Sequence, residues 1–110
     1  MIIIREKKER LAEANTVLID WDGLEAAIKG GKIKVRSATH VDRRNYLLFE
    51  IRSSFELAFT RDRFALTSGT AVMNIYKNLI TAIGCLMLSD DSIVKIIIKL
   101  KDNSTVSLEG

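Results

Sequence analysis

The chain has 110 residues, 47% of them hydrophobic and 28% charged, with no proline and a single cysteine. That is the size of one small domain; it is too apolar for a disordered chain, and no apolar run approaches the roughly 20 residues of a membrane helix. Cys85 alone excludes an intramolecular disulfide and an all-cysteine zinc site, and a formal charge of +3 is too small to name a partner by itself.

Residues 1–110 read as one domain, with no linker, repeat or low-complexity tract. Met1–Ile4 stands ahead of the first charges, the reverse of a secretory signal, so a cytoplasmic, reducing setting is expected. Arg5 to Ala14 is rich in helix formers, with Glu6 and Arg10 at i,i+4 spacing. It predicts a short peripheral helix ending near Asn15. Thr16 to Trp21 is β-branched and apolar and predicts a short strand. Asp22, three residues before Glu25, predicts the start of a second short helix. Leu24, Ala27 and Ile28 share its face, and Gly30-Gly31 stops it.

From Lys32 the period falls to two. Ile33 and Val35 alternate with Lys32, Lys34 and Arg36, the pattern of a strand. A charged turn at Asp42–Asn45 leads into a strand from Tyr46 to Arg52, with Leu47, Phe49 and Ile51 inward. Phe55 to Phe59 predicts a third strand. Phe64 and Leu66 predict a fourth, after a turn at Arg61–Arg63. Val72, Ile75, Tyr76, Leu79, Ile80 and Ile83 fall at helical spacing. They predict the main helix, from Ser68 or Thr70 to about Ile83. Ile93 to Lys101 reads as the longest strand, and the Asp102-Asn103 turn returns it as Thr105 to Leu108. The expected fold class is α+β. It has an antiparallel sheet of about five to six strands, one long helix packed on one face, and short N-terminal helices.

The cations of this arrangement fall on the outward side of the strands. Lys32, Lys34, Arg36, Arg52, Lys95 and Lys99 would line one sheet face at a spacing suited to a phosphate backbone, and Lys101 extends the row. Arg43 and Arg44 lie beside Tyr46, an aromatic ring able to stack on a base. The expectation is a small, non-enzymatic nucleic-acid-binding protein that favours single strands and pairs as a homodimer. The same residues also suit an ordinary solvated face whose lysines guard strand edges. A second expectation is a protein–protein interaction module, an inhibitor or a subunit of an assembly. It rests on the weakly amphipathic first helix and Met1–Ile4. No cofactor or metal is expected: the chain has no Walker loop, dinucleotide fingerprint, zinc spacing or Gly-x-Ser-x-Gly.

Two short motifs resemble enzyme families. Asp20-Trp21-Asp22-Gly23, after Val17-Leu18-Ile19, resembles the first motif of haloacid-dehalogenase-like phosphatases. The resemblance implies a nucleophilic Asp20 and an acid/base Asp22. The same residues also read as a helix cap and a solvent carboxylate, and Leu24 stands where that family carries Thr or Val. Asp42 followed by Glu50-Ile51-Arg52 resembles the metal-binding core of restriction-like nucleases, with Arg52 in place of their lysine. That resemblance implies a metal-dependent nuclease in which Asp42 and Glu50 hold Mg²⁺. His40, two residues before Asp42, reads as a loop histidine. Cys85 reads as an inert thiol in apolar surroundings, and Ser68-Gly69-Thr70 as a helix cap able to meet an anion.

Overall fold

A computed structural model of the chain describes residues 15–52 and 56–110. These residues form nine strands and one helix. In order they are β1 (Asn15–Ile19), α1 (Trp21–Lys29), β2 (Ser37–Val41), β3 (Leu47–Ile51) and β4 (Glu56–Phe59). There follow β5 (Arg63–Ser68), β6 (Ala71–Tyr76), a 3-10 turn (Lys77–Leu79), β7 (Ile80–Met87), β8 (Ile93–Leu100) and β9 (Thr105–Glu109). The helix expected at Arg5–Ala14 and the expected strand start at Phe55 lie outside the described residues.

All pairing is antiparallel. One sheet has six strands in the order β1-β7-β8-β9-β2-β3, and the other has three in the order β4-β5-β6. The inner face of the large sheet is built from two cross-strand rows. The first is Val17, Cys85, Ile96, Leu108, Ala38 and Ile51; the second is Ile19, Ile83, Ile98, Val106, His40 and Phe49. Apart from Val17 and His40, these side chains share one apolar cluster with Trp21, Leu24 and Ala27 of α1 and with Phe64, Leu66, Met73 and Ile75 of the small sheet. Phe59 ties the layers together. Its ring meets Trp21 edge-on at 5.7 Å between centroids and stacks on Phe64 at 4.6 Å. Each large side chain so buried stabilises the fold by roughly 1.5–3 kcal/mol before entropy is counted.

The expected α+β arrangement is therefore corrected. Among the described residues no long helix covers the large sheet; a second sheet and a helix of nine residues do. Residues 68–83, read as the main helix, are the end of β5, then β6, the 3-10 turn and the first half of β7. The apolar positions there satisfy two periods. Met73 and Ile75 point inward while Val72, Asn74 and Tyr76 are exposed, which is strand alternation. Beyond the turn at Lys77–Leu79, Ile83 and Cys85 point inward in β7. Of the six residues at helical spacing only Ile75 and Ile83 are buried; Val72, Tyr76 and Leu79 are exposed and Ile80 is half-buried, so the stripe is drawn from both faces of two strands.

Two smaller corrections follow. Lys32–Arg36 joins no ladder, with Lys32 at a bend; the strand begins at Ser37, and the Arg36 amide donates to the Glu109 carbonyl at 2.7 Å. Helix α1 starts earlier than expected. Asp20 is its cap, accepting from the Gly23 amide at 2.8 Å, and Asp22 lies in the first turn.

Three of the hairpins close in the same way. Asp42–Tyr46, Leu88–Ser92 and Leu100–Ser104 each form a five-residue loop. In each, the first amide donates to the last carbonyl and the fourth amide returns to the first carbonyl, at 2.8–3.0 Å. The fourth residue is left-handed, with φ near 66° at Asn45, Asp91 and Asn103. Asn and Asp tolerate that conformation better than other side chains, and two of these loops, at Asp42–Asn45 and Asp102-Asn103, are the turns expected from the sequence.

Candidate nucleic-acid interface

Strand direction divides the nine expected contact residues between two ends of the sheet. Lys32, Lys34, Arg36, Arg52 and Lys95 lie at the end where β8 begins and β9 finishes. Arg43, Arg44, Tyr46 and Lys99 lie at the other end, where β2 and β8 finish. The outer face joining the two ends is not a row of cations. Its cross-strand rows run Thr16, Leu86, Lys95, Glu109, Ser37 and Leu18, Gly84, Ile97, Ser107, Thr39, Glu50. Lys95 is paired with Glu109 at 3.3 Å, and Arg52 with Glu50. Asp90 and Asp91 add negative charge at that first end, in the β7–β8 loop.

The second end is different. The 3-10 turn joins two neighbouring loops through the backbone: the Lys77 amide donates to the Asp62 carbonyl at 2.8 Å, and the Lys101 amide to the Leu79 carbonyl at 2.8 Å. This brings Arg61 and Arg63, from the β4–β5 turn, to the same end as Lys77, Lys99 and Lys101. The β2–β3 loop adds Arg43 and Arg44 one strand beyond β9. All seven cations are exposed, and none is in an ion pair among the described residues. The acids at this end hold loops together. Asp42 accepts from the amides of Arg44 and Tyr46 at 2.8 and 3.0 Å, and Asp62 from the Thr60 hydroxyl at 3.0 Å. Tyr46 is 66% exposed and Tyr76 is 39% exposed beside Arg63, its cross-strand partner.

No family model, curated protein or solved structure matches this chain.

Sequence reasoning missed Arg61, Arg63 and Lys77 as members of this surface. Lys77-Asn78 interrupts an otherwise apolar stretch and is the signal that marks a turn there. The helical reading placed Lys77 mid-helix, away from every loop.

The enzyme-like motifs do not assemble. Asp20 caps a helix that follows an edge strand of an antiparallel sheet, not a strand of a parallel β-α series. Glu50 lies across from Thr39, three positions along β2 from Asp42, or roughly 10 Å at strand rise. It faces its own Arg52, while Asp42 is held by its loop amides. Gly69, with φ of 60°, and Thr70 close the β5–β6 hairpin, so no helix follows Ser68. Cys85 is fully buried, and burial pushes its thiol pKa up, which keeps it protonated and inert.

His40 is not a loop residue. It lies in the inner row of β2, where its Nε2 is 2.9 Å from Ser104 Oγ. Ser104 in turn donates its hydroxyl hydrogen to Asp102, which also accepts the Ser104 amide at 2.9 Å. An ionised carboxylate only accepts, so the serine hydrogen is committed to Asp102 and its Oγ receives the His40 Nε2 hydrogen. This order is the reverse of a nucleophilic triad, in which histidine takes the serine proton. Ser104 is also 2% exposed, out of reach of a substrate. The chain fastens β2 to the β8–β9 loop at the foot of the cationic end.

Proposed function

We propose that the chain binds nucleic acid, without catalysis, through the cationic end formed by Arg43, Arg44, Arg61, Arg63, Lys77, Lys99 and Lys101. The observation that carries this reading is the convergence of four connections whose cations have no acidic partner among the described residues. Exposed lysines and arginines gathered in this way displace condensed counterions from a phosphate backbone. Tyr46 and Tyr76 provide rings on which unpaired bases stack, which favours single strands.

The test is fluorescence anisotropy with a labelled oligothymidine and a labelled duplex over a salt series. Binding of the single strand is expected to weaken steeply with salt. Serine at Arg61, Lys77 and Lys101 together is expected to flatten that dependence by roughly 0.7 in log–log slope per lost contact. Absence of binding at about 50 mM salt, or an unchanged slope in the triple variant, overturns the reading. The interaction-module reading draws support from Leu47 and Leu48, each 56% exposed on edge strand β3.

A further inference from the structure

Among the described residues the six-stranded sheet ends in β1 and β3, and these two strands are built differently. On β3 the register slips between His40 and Val41, leaving Leu48 as an extra residue opposite no partner. Glu50 lies within the strand, Arg52 follows it, and the Arg43-Arg44 loop precedes it. A bulge and charges are the devices that stop a sheet edge from recruiting another strand.

Strand β1 has no bulge and no charge within the strand, and the Asp20 that follows it caps helix α1. Asn15-Thr16-Val17-Leu18-Ile19 carries no charge, pairs with β7 in unbroken register, and is apolar on both faces. Leu18, on the outer face, is 77% exposed, the largest value for a big hydrophobic side chain among the described residues. Its cross-strand neighbour is Gly84, which has no side chain to cover it. On the inner face, Val17 ends the row Ile51, Ala38, Leu108, Ile96, Cys85. Those five are at most 5% exposed, whereas Val17 is 39% exposed. The core row runs out into solvent at this strand.

We infer that β1 pairs with β1 of a second copy of this chain, antiparallel and in the register that sets Val17 against its counterpart. The five-residue strand is self-complementary in that register: Thr16 meets Leu18 of the other copy, Asn15 meets Ile19, and no like charges oppose. Of the two edges a second copy offers among the described residues, β3 carries a bulge and Glu50 within the strand, which leaves the uncharged β1 as the edge that matches β1. The two-fold contact joins the inner rows of both copies through the Val17 pair, and each Leu18 gains a neighbour beyond Gly84.

Sedimentation equilibrium of the full chain at a concentration well above micromolar tests this. The expected mass is twice the 12.4 kDa of one chain. Leu18→Lys changes a side chain that contributes little to the monomer core and is expected to halve the mass while leaving the circular dichroism spectrum unchanged. Leu48→Lys, on the opposite edge, is expected to leave the dimer intact. A monomeric parent chain overturns the inference. So does a dimer that survives Leu18→Lys, or one that is lost in Leu48→Lys with folding retained.

Discussion

His40 and Ser104, sixty-four residues apart, meet at 2.9 Å and give the inner face of the large sheet its polar contact to the β8–β9 loop. Ser104→Ala removes both the acceptor for His40 Nε2–H and the donor to Asp102. A part-buried donor left without a partner costs about 1–3 kcal/mol. Urea unfolding is expected to show a lower midpoint with an unchanged m-value, and Ser104→Thr is expected to recover part of the loss.

Asp102 is held below the usual carboxylate range, first by the Ser104 hydroxyl, then by the Ser104 amide, with a smaller contribution from His40. A carboxylate whose folded pKa is depressed stabilises the fold above its unfolded pKa. That contribution fades as pH falls through the folded value. The stability gap between the parent chain and Asp102→Asn is therefore expected to be full near neutrality and to close below about pH 4. A gap that widens on acidification contradicts this assignment.

Gly84 interrupts a central strand without a steric reason of its own. A Cβ added there meets only Thr16 Cγ2, at 3.9 Å. Glycine inside a regular element is about 0.5–1 kcal/mol less stable than alanine. Gly84→Ala is accordingly expected to raise the thermal midpoint of the folded chain. A drop in the midpoint would place an uncounted neighbour against this strand.

Asp20→Ala removes the cap of α1 and is expected to cost about 0.5–2 kcal/mol, read by chemical denaturation. Asp20→Ser keeps a capping oxygen and is expected to restore nearly all of it. A nucleophilic carboxylate would show the opposite signature: phosphatase activity abolished by both changes, whatever their stability.

The legible parts of this fold were those set by local chemistry. The Asn- and Asp-bearing turns at Asp42–Asn45 and Asp102-Asn103 marked two hairpin loops, and alternation around Phe49, Leu66 and Ile96 marked their strands. Helix α1 was also found, displaced by two residues because Asp20 and Asp22 both suit a cap. The second sheet was hidden because β6 and β7 are both apolar and are separated by only three residues. Apolar residues from their inward and exposed positions alike, taken together, imitate one helical stripe. The surface was only half legible for the same reason. Arg43, Arg44 and Lys99 could be named from the sequence, but their convergence with Lys77 depends on the hydrogen bond from Lys101 to Leu79, which no sequence period announces.

The extra residue at Leu48 bears on how large an assembly this sheet can form. A sheet that accepts a strand on both sides polymerises; one blocked on one side stops after a single round. The bulge therefore acts as a terminator, and it consists of one residue. Deleting Leu48 would restore the β2–β3 register and offer a second pairing edge, turning a self-limiting pair into a growing ribbon. Light scattering of that deletion variant would follow the change directly.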